Sequence, residues 1–201
     1  MTPDSASVAC DGWDGSECEG TLHCPPRCPR FVDKEGTRWT IRPADDADEP
    51  FLAEMYDGFD RADRAQGLPP VSRGRCAEWS RATLTEGNNA AAGRNGELPG
   101  HAMHAPPATA VPELAVFVHP DAQDRGVGTE LCRHVIANAA AADRDGIELH
   151  VETGNRVARN VYRTVGFEVA ERRGDLRMRL DLDDPVADEV RWPPLAREGS
   201  A

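Results

Sequence analysis

The sequence predicts a mixed α/β fold, and three observations carry that expectation. Between about residues 37 and 182, short stretches rich in Val, Ile and aromatic residues alternate with longer stretches whose apolar residues recur at helical spacing. The strongest of these is a buried strand, Glu113 to His119, that runs through a glycine-containing turn into a long helix. The last two strand signals, Phe167 to Ala170 and Leu176 to Leu182, form an antiparallel pair, so the sheet is not purely parallel.

Taken in order, Thr37 to Arg42 (TRWTIR) alternates as a first strand and stops at Pro43. A helix follows from Asp45 to about Gln66, with Phe51, Leu52, Met55, Tyr56 and Phe59 on one side and Asp45 and Asp46 opposing its dipole. A second helix covers Arg75 to Leu84 with Ala77, Trp79 and Leu84 as its apolar side. Asn88 to Gly93 and Leu98 to Ala105 flank Asn95-Gly96, a hairpin signal, although Ala-rich strands interrupted by Pro99 supply little burial. Beyond Glu113 to His119 come a helix from about Val127 to Asp143, a strand Ile147 to Val151, and a helix Asn155 to Val165 closed by Gly166.

Two flanking segments stand apart. Residues 1–35 hold Cys10, Cys18, Cys24 and Cys28 without apolar periodicity. Four thiolates there fit a tetrahedral zinc site, but the spacing lacks paired C-x-x-C knuckles, and a disordered segment or redox pairing fits the same residues. Residues 183–201 are acidic, contain proline and read as a mobile tail. The domain proper is therefore expected at 36–182.

Composition excludes several functions. The formal charge is −12, with Lys34 the only lysine and arginine supplying the other basic residues. Such a surface suits solubility at high salt, with GC-rich codon usage as the other reading. Its field opposes nucleic-acid binding. No stretch of roughly 18 apolar residues provides a membrane span, and the N-terminus lacks a signal-peptide pattern. The expectation is a cytoplasmic protein.

Chemistry gathers at two motifs. In Gln123-Asp124-Arg125-Gly126-Val127-Gly128-Thr129, two glycines let the backbone approach a ligand, and unpaired helix N-terminal amides form an anion site. Arg125 offers a guanidinium fork for phosphate. The missing third glycine (Leu131) excludes a dinucleotide fingerprint, and no Gly-Lys-Ser/Thr follows. In the second motif, Asn155, Ala158, Arg159, Tyr162, Gly166 and Phe167, one helical face carries an amide, a cation and a phenol.

In that order and spacing, Q/R-x-x-G-x-G/A followed by N-x-x-A-x-x-x-Y-x-x-x-G-F, the string Glu113 to Phe167 resembles the GNAT superfamily of N-acyltransferases, in a haloarchaeal-like, single-domain form. The resemblance implies a mostly antiparallel mixed sheet of six or seven strands with about four helices and a splayed strand pair. It implies an acetyl-CoA cosubstrate lying along Val116, Phe117 and Val118, with its pyrophosphate on the backbone of Gln123 to Thr129 and its arm near Asn155 and Ala158. Tyr162 is implied as general acid toward the leaving thiolate. Glu113 is the first candidate base and Glu152 the second, with His101, His104 and His119 less favoured. The acceptor would be a small-molecule or peptide amine, and a homodimer is common among such proteins. A CoA-binding regulatory module without turnover, or a metal-dependent interaction protein using the Cys-rich segment, are the other readings.

Overall fold

A computed structural model of the chain describes residues 12–60 and 69–197. Eight strands form one sheet in the order β1-β2-β3-β4-β5-β6-β8-β7. Strands β1 (Arg30–Val32), β2 (Arg38–Pro43), β3 (Asn88–Arg94), β4 (Glu97–Ala105) and β5 (Glu113–Val118) pair antiparallel in succession. Strand β6 (Gly146–Val151) joins β5 in parallel, and β8 (Asp175–Asp181) lies antiparallel between β6 and β7 (Glu168–Arg173). The expected mixed, mostly antiparallel sheet is present, with β1 as an extra strand drawn from the Cys-rich segment.

Helices cover both faces. On one face lie α1 (Glu49–Asp57) and α2 (Arg73–Glu86), burying Leu52, Met55, Tyr56, Phe59 and Cys76 against Ala91 and Leu98. A reciprocal cap between Asp45 and Asp48 opens the turn before α1, and Arg42 grips the Asp48 carboxylate with two hydrogen bonds of 2.7 and 2.6 Å. Helix α1 ends at Asp57, short of the expected Gln66; residues 61–66 lie outside the described residues. On the other face, α3 (Val127–Ala141) and α4 (Arg156–Thr164) cover the larger core, which includes Trp39, Ile41, Leu131, Val135, Ile136, Leu149 and Met178.

The Ala-rich stretch does form the central hairpin, and packing explains how. Asn95 and Gly96 both take positive φ, as the turn requires. Ala90, Ala92 and Ala102 face α3, while Ala91 faces α1 and α2, and all four are buried. A Cβ built on Gly100 would lie 3.0 Å from Leu131 Cδ1, 3.1 Å from the Ala92 Cβ and 3.2 Å from Val127 Cγ1. The helices therefore approach until larger strand side chains no longer fit, and small residues here leave no void. A buried polar chain reinforces the other face: the Tyr56 hydroxyl bonds His101 Nδ1, His101 Nε2 lies 2.9 Å from Asn89 Oδ1, and Asn89 Nδ2 donates to the Thr83 and Gly87 carbonyls ending α2.

Both flanking segments pack against this body. Among residues 183–197, α5 (Pro185–Glu189) buries Ala187, and Val190 and Ala196 are buried too, so this stretch is not a loose tail. Trp192 pairs in parallel with Arg27, and its amide donates to the Pro26 carbonyl at 3.0 Å. Arg27 in turn holds the buried Glu130 of α3 through Nε (2.5 Å) and NH2 (3.0 Å). The zinc reading gains no support: Cys10 lies outside the described residues, and no group of three metal-binding side chains exists among those described. Cys24 Sγ instead accepts from the Thr21 amide at 3.2 Å.

The loop joining β1 to β2 contains the most heavily bonded carboxylate. Asp33 accepts from Trp39 Nε1 (2.7 Å), the amides of Glu35 and Thr37 (both 2.9 Å), and Arg125 Nε (2.6 Å). Burial pushes this carboxyl up, but Arg125, the indole and the two amides outweigh it and hold the group well below the usual carboxylate range.

Two outcomes follow for stability. Ala92→Ile overpacks the α3 interface and lowers the urea midpoint by the equivalent of about 1–3 kcal/mol at unchanged slope. Asp33→Asn lowers the thermal midpoint at neutral pH. Because the folded carboxyl titrates low, its contribution is complete above the ordinary range near pH ~4 and fades as pH falls below it. Wild type and variant converge in acid, which melting curves across that window check.

Candidate active site

Strands β5 and β6 are registered only at Glu113 and Glu148, and beyond that pair they diverge toward their C-terminal ends. Each feeds a helix on the same face: β5 leads to α3, and β6 leads to α4, which packs against α3. Two helix N-termini thus converge on the open end of the splayed pair, the place where α/β sheets receive ligands.

The turn into α3 is built to leave amides bare. Gly126 occupies the cap position at φ 94°, left-handed, and no side chain caps the helix. The first intrahelical bond runs from the Glu130 amide to the Gly126 carbonyl (3.0 Å), so the amides of Val127, Gly128 and Thr129 have no carbonyl one turn back. A Cβ on Gly128 would stand 3.4 Å from Val118 Cγ2, which places this turn against the end of β5. Asp124 is exposed with φ 57°, and its carboxylate opposes an anionic ligand, leaving attraction to the backbone. Gln123 Nε2 donates to the Val118 carbonyl at 3.1 Å.

Arg125 does not serve as expected. Its Nε meets Asp33, NH1 meets Glu35 Oε2 at 2.8 Å, and NH2 meets the Thr37 hydroxyl, so the whole fork is spent on the β1–β2 loop. This pairing fixes the strand-to-helix turn from behind. Asn155 and Arg159 are also partly committed: Asn155 Oδ1 caps α4 by accepting from the Ala158 amide (3.0 Å), and Arg159 NH1 donates to the Thr153 carbonyl (2.8 Å). Ala158 is half-buried against the α3 core.

Tyr162 is buried, its ring 6.0 Å from that of Phe167. Burial, followed by the neighbouring Cys132 thiol, pushes its phenol above the ordinary value.

On the strand face opposite α3 and α4 lie Glu113 and Phe117. Phe117 packs its ring 5.5 Å from Tyr56 and 5.3 Å from Trp79, so only its backbone is available to the splay, while Val116 and Val118 point to the α3 core. Glu113 Oε1 stands 3.1 Å from His150 Nδ1, a partner that nothing in the local sequence announces because parallel strands bring it close from 37 residues away. Glu152 lies exposed past the end of β6. His101 and His104 are buried, and burial pulls both down to about 4, so they are neutral at pH 7. His119 Nδ1 accepts from the Asp121 amide at 3.3 Å.

Two concavities lie away from this site, one of about 470 Å³ lined by Trp13, Arg38, Arg42 and Phe51, the other of about 400 Å³ lined by Arg27, Arg133, Thr164 and Trp192. Neither contains a residue of β5 or of the glycine turn. Among the described residues, no helix is long and apolar enough to cross a membrane.

Comparison with known proteins agrees with the geometry. Residues 51–167 match the family model described as acetyltransferase (GNAT) family. The GNAT domain of S. lividans PAT superposes with a TM-score of 0.66 at 21% identity, covering 76% of this chain and 96% of that one. The Salmonella typhimurium yncA structure with its cofactor acetyl-CoA gives 0.60 at 24% identity, covering 74% and 96%. The ribosomal-protein-S18-alanine N-acetyltransferase of Escherichia coli gives 0.57 at 22%, covering 71% and 93%. None of these supports a haloarchaeal likeness, and no curated protein matches the sequence. With its splayed strands, its uncapped glycine turn and a family match spanning more than half its length, the chain belongs to the GNAT acetyltransferase family and is an amine acyltransferase.

Proposed function

We propose that the protein transfers the acetyl group of acetyl-CoA to a primary amine by direct attack. One observation carries the reading: uncapped amides at Val127, Gly128 and Thr129 open beside the free edge of β5, where a diphosphate and an extended arm have matching donors and acceptors. A helix N-terminus favours such an anion through its bare N–H groups and its dipole. The β5 backbone from Val118 back to Leu114, about 3.3 Å per residue, guides an arm from that turn toward Glu113. Bound acetyl-CoA supplies the activated acyl group.

The roles of the chain's own residues follow. Glu113 accepts the proton of the incoming ammonium, so that a neutral amine attacks the thioester carbonyl. Tyr162 donates its hydroxyl to the departing sulfur. A thiolate near pKa ~8.5 needs little acid help, so the high-pKa phenol stabilises the leaving group by a hydrogen bond more than by full proton transfer. The acceptor approaches from the face that carries Glu113 and Phe117, opposite the helices that hold the cofactor. A small amine, an amino acid, an aminoglycoside antibiotic and a peptide with a free N-terminus all have the required nitrogen. A protein working inside the cell, alone or as a homodimer, is consistent with this chemistry.

A thermal-shift titration with CoA and acetyl-CoA, followed by thiol release with a panel of those amine classes, tests the reading. Stabilisation by both cofactors and amine-dependent thiol release are expected; absence of any CoA affinity sinks it, and affinity without turnover identifies a binding module instead. Tyr162→Phe is expected to lower kcat by roughly 10²-fold, the low end for acid assistance, with the acetyl-CoA KM unchanged. Gly128→Val fills the space next to Val118 and weakens acetyl-CoA at least about tenfold, read as a smaller thermal shift.

A further inference from the structure

We infer that His150 is the positioning residue for the catalytic carboxylate: its Nδ1–H holds Glu113 Oε1 so that Oε2 faces the acceptor amine. The inference rests on the proposed role of Glu113. Its observation is geometric: Nδ1 and Oε1 stand 3.1 Å apart at the closed end of the splay, one strand from each side. Glu113 is registered with Glu148, two residues before His150, so the bond crosses the only point at which β5 and β6 meet in register. A carboxylate on a strand has a rotatable head, and a single fixed donor on one oxygen restricts it to one useful orientation.

Charged groups from its own and neighbouring strands surround this imidazole. On β6 itself, Glu148 precedes it, with Glu152 beyond the strand end. From β8, Arg177 is registered opposite His150, and its charge is shared between Glu148 Oε2 at 3.1 Å and Glu171 Oε2 of β7 at 3.5 Å. From β5, Glu113 completes the set. With Arg177 engaged by two carboxylates, the imidazole is the neighbour whose polar atom meets Glu113. A ring nitrogen that donates to one carboxylate oxygen leaves the other oxygen able to take the ammonium proton. Side-chain exposures of 40% for His150 and 54% for Glu113 leave the proton a path to water after each turnover.

The test compares wild type with His150→Ala, His150→Asn and Glu113→Gln on the fastest amine of the panel, with melting curves confirming that each variant folds. His150→Ala should reduce kcat/KM for the amine about tenfold, the size expected for a partner that orients a reacting group, with acetyl-CoA KM unaltered. Asn places an amide donor near the Nδ1 position and should recover most of that loss. NMR of the labelled ring, which needs no acceptor, should show the Nδ1–H tautomer in wild type and a loss of that preference in Glu113→Gln. An Nε2–H tautomer in wild type, a tautomer indifferent to Glu113→Gln, or no recovery of kcat/KM in His150→Asn overturns the inference while leaving the acyltransferase reading intact. Full activity in Glu113→Gln removes Glu113 as base and this inference with it.

Discussion

Helix α3 lies so close to β3 and β4 that glycine and alanine are nearly the only side chains those strands can present to it. That spacing governs the rest of the molecule. It seats the start of α3 against Val118, so bare amides emerge at the end of β5. It also brings Cys132 of α3 beside Tyr162 of α4, giving the phenol its apolar surroundings. A looser helix supported on larger strand residues would keep the fold and displace both halves of the proposed site. Angström-scale displacement of reacting groups is enough to cost orders of magnitude in rate.

The splay divides labour between the two faces of the sheet. Beyond Glu113 and Glu148, β5 keeps one edge bonded to β4 and leaves the other open. Such an edge invites a foreign strand in most proteins. Here it is short and lies within a gap flanked by β6, so a narrow extended ligand fits better than a polypeptide. Apolar residues of β5 point to the helices, and Glu113 points away from them. In the proposed reaction, cofactor and acceptor therefore take separate approaches that meet at one strand.

Much of this was legible in the residues, for physical reasons that differ by element. The strand, glycine turn and helix from Glu113 onward could be read because their signals are local: β-branched alternation, a residue able to take positive φ, and a helical repeat. Gly166, which takes the positive φ expected of a helix-closing glycine, was legible for the same reason. The destination of Arg125 was not, since Asp33 is 92 residues earlier and only the folded sheet brings them together. The Ala-rich hairpin looked too poor in apolar area to be central, because propensity cannot register how near a helix will come. The flanking segments misled in the opposite sense. Their few apolar residues, among them Ala187 and Val190, bury well only because a surface prepared by α3 awaits them. His150 carried no signal at all, as a lone histidine on a half-exposed strand is ordinary.

The clasp between the two flanking segments has a consequence for how the chain is made. Arg27 NH1 donates to the Val190 carbonyl 163 residues later, and the Cys28 amide donates to the Trp192 carbonyl. During synthesis the early strap can reach Glu130 once α3 exists, but its backbone partners are made some sixty residues after that helix begins. Nascent chains therefore carry a half-fastened collar over α3 until residues 190–192 emerge, and long-range closures of this kind are the slow steps of folding. A chain cut short of residue 190 would possess every strand of the sheet and an unsealed seam.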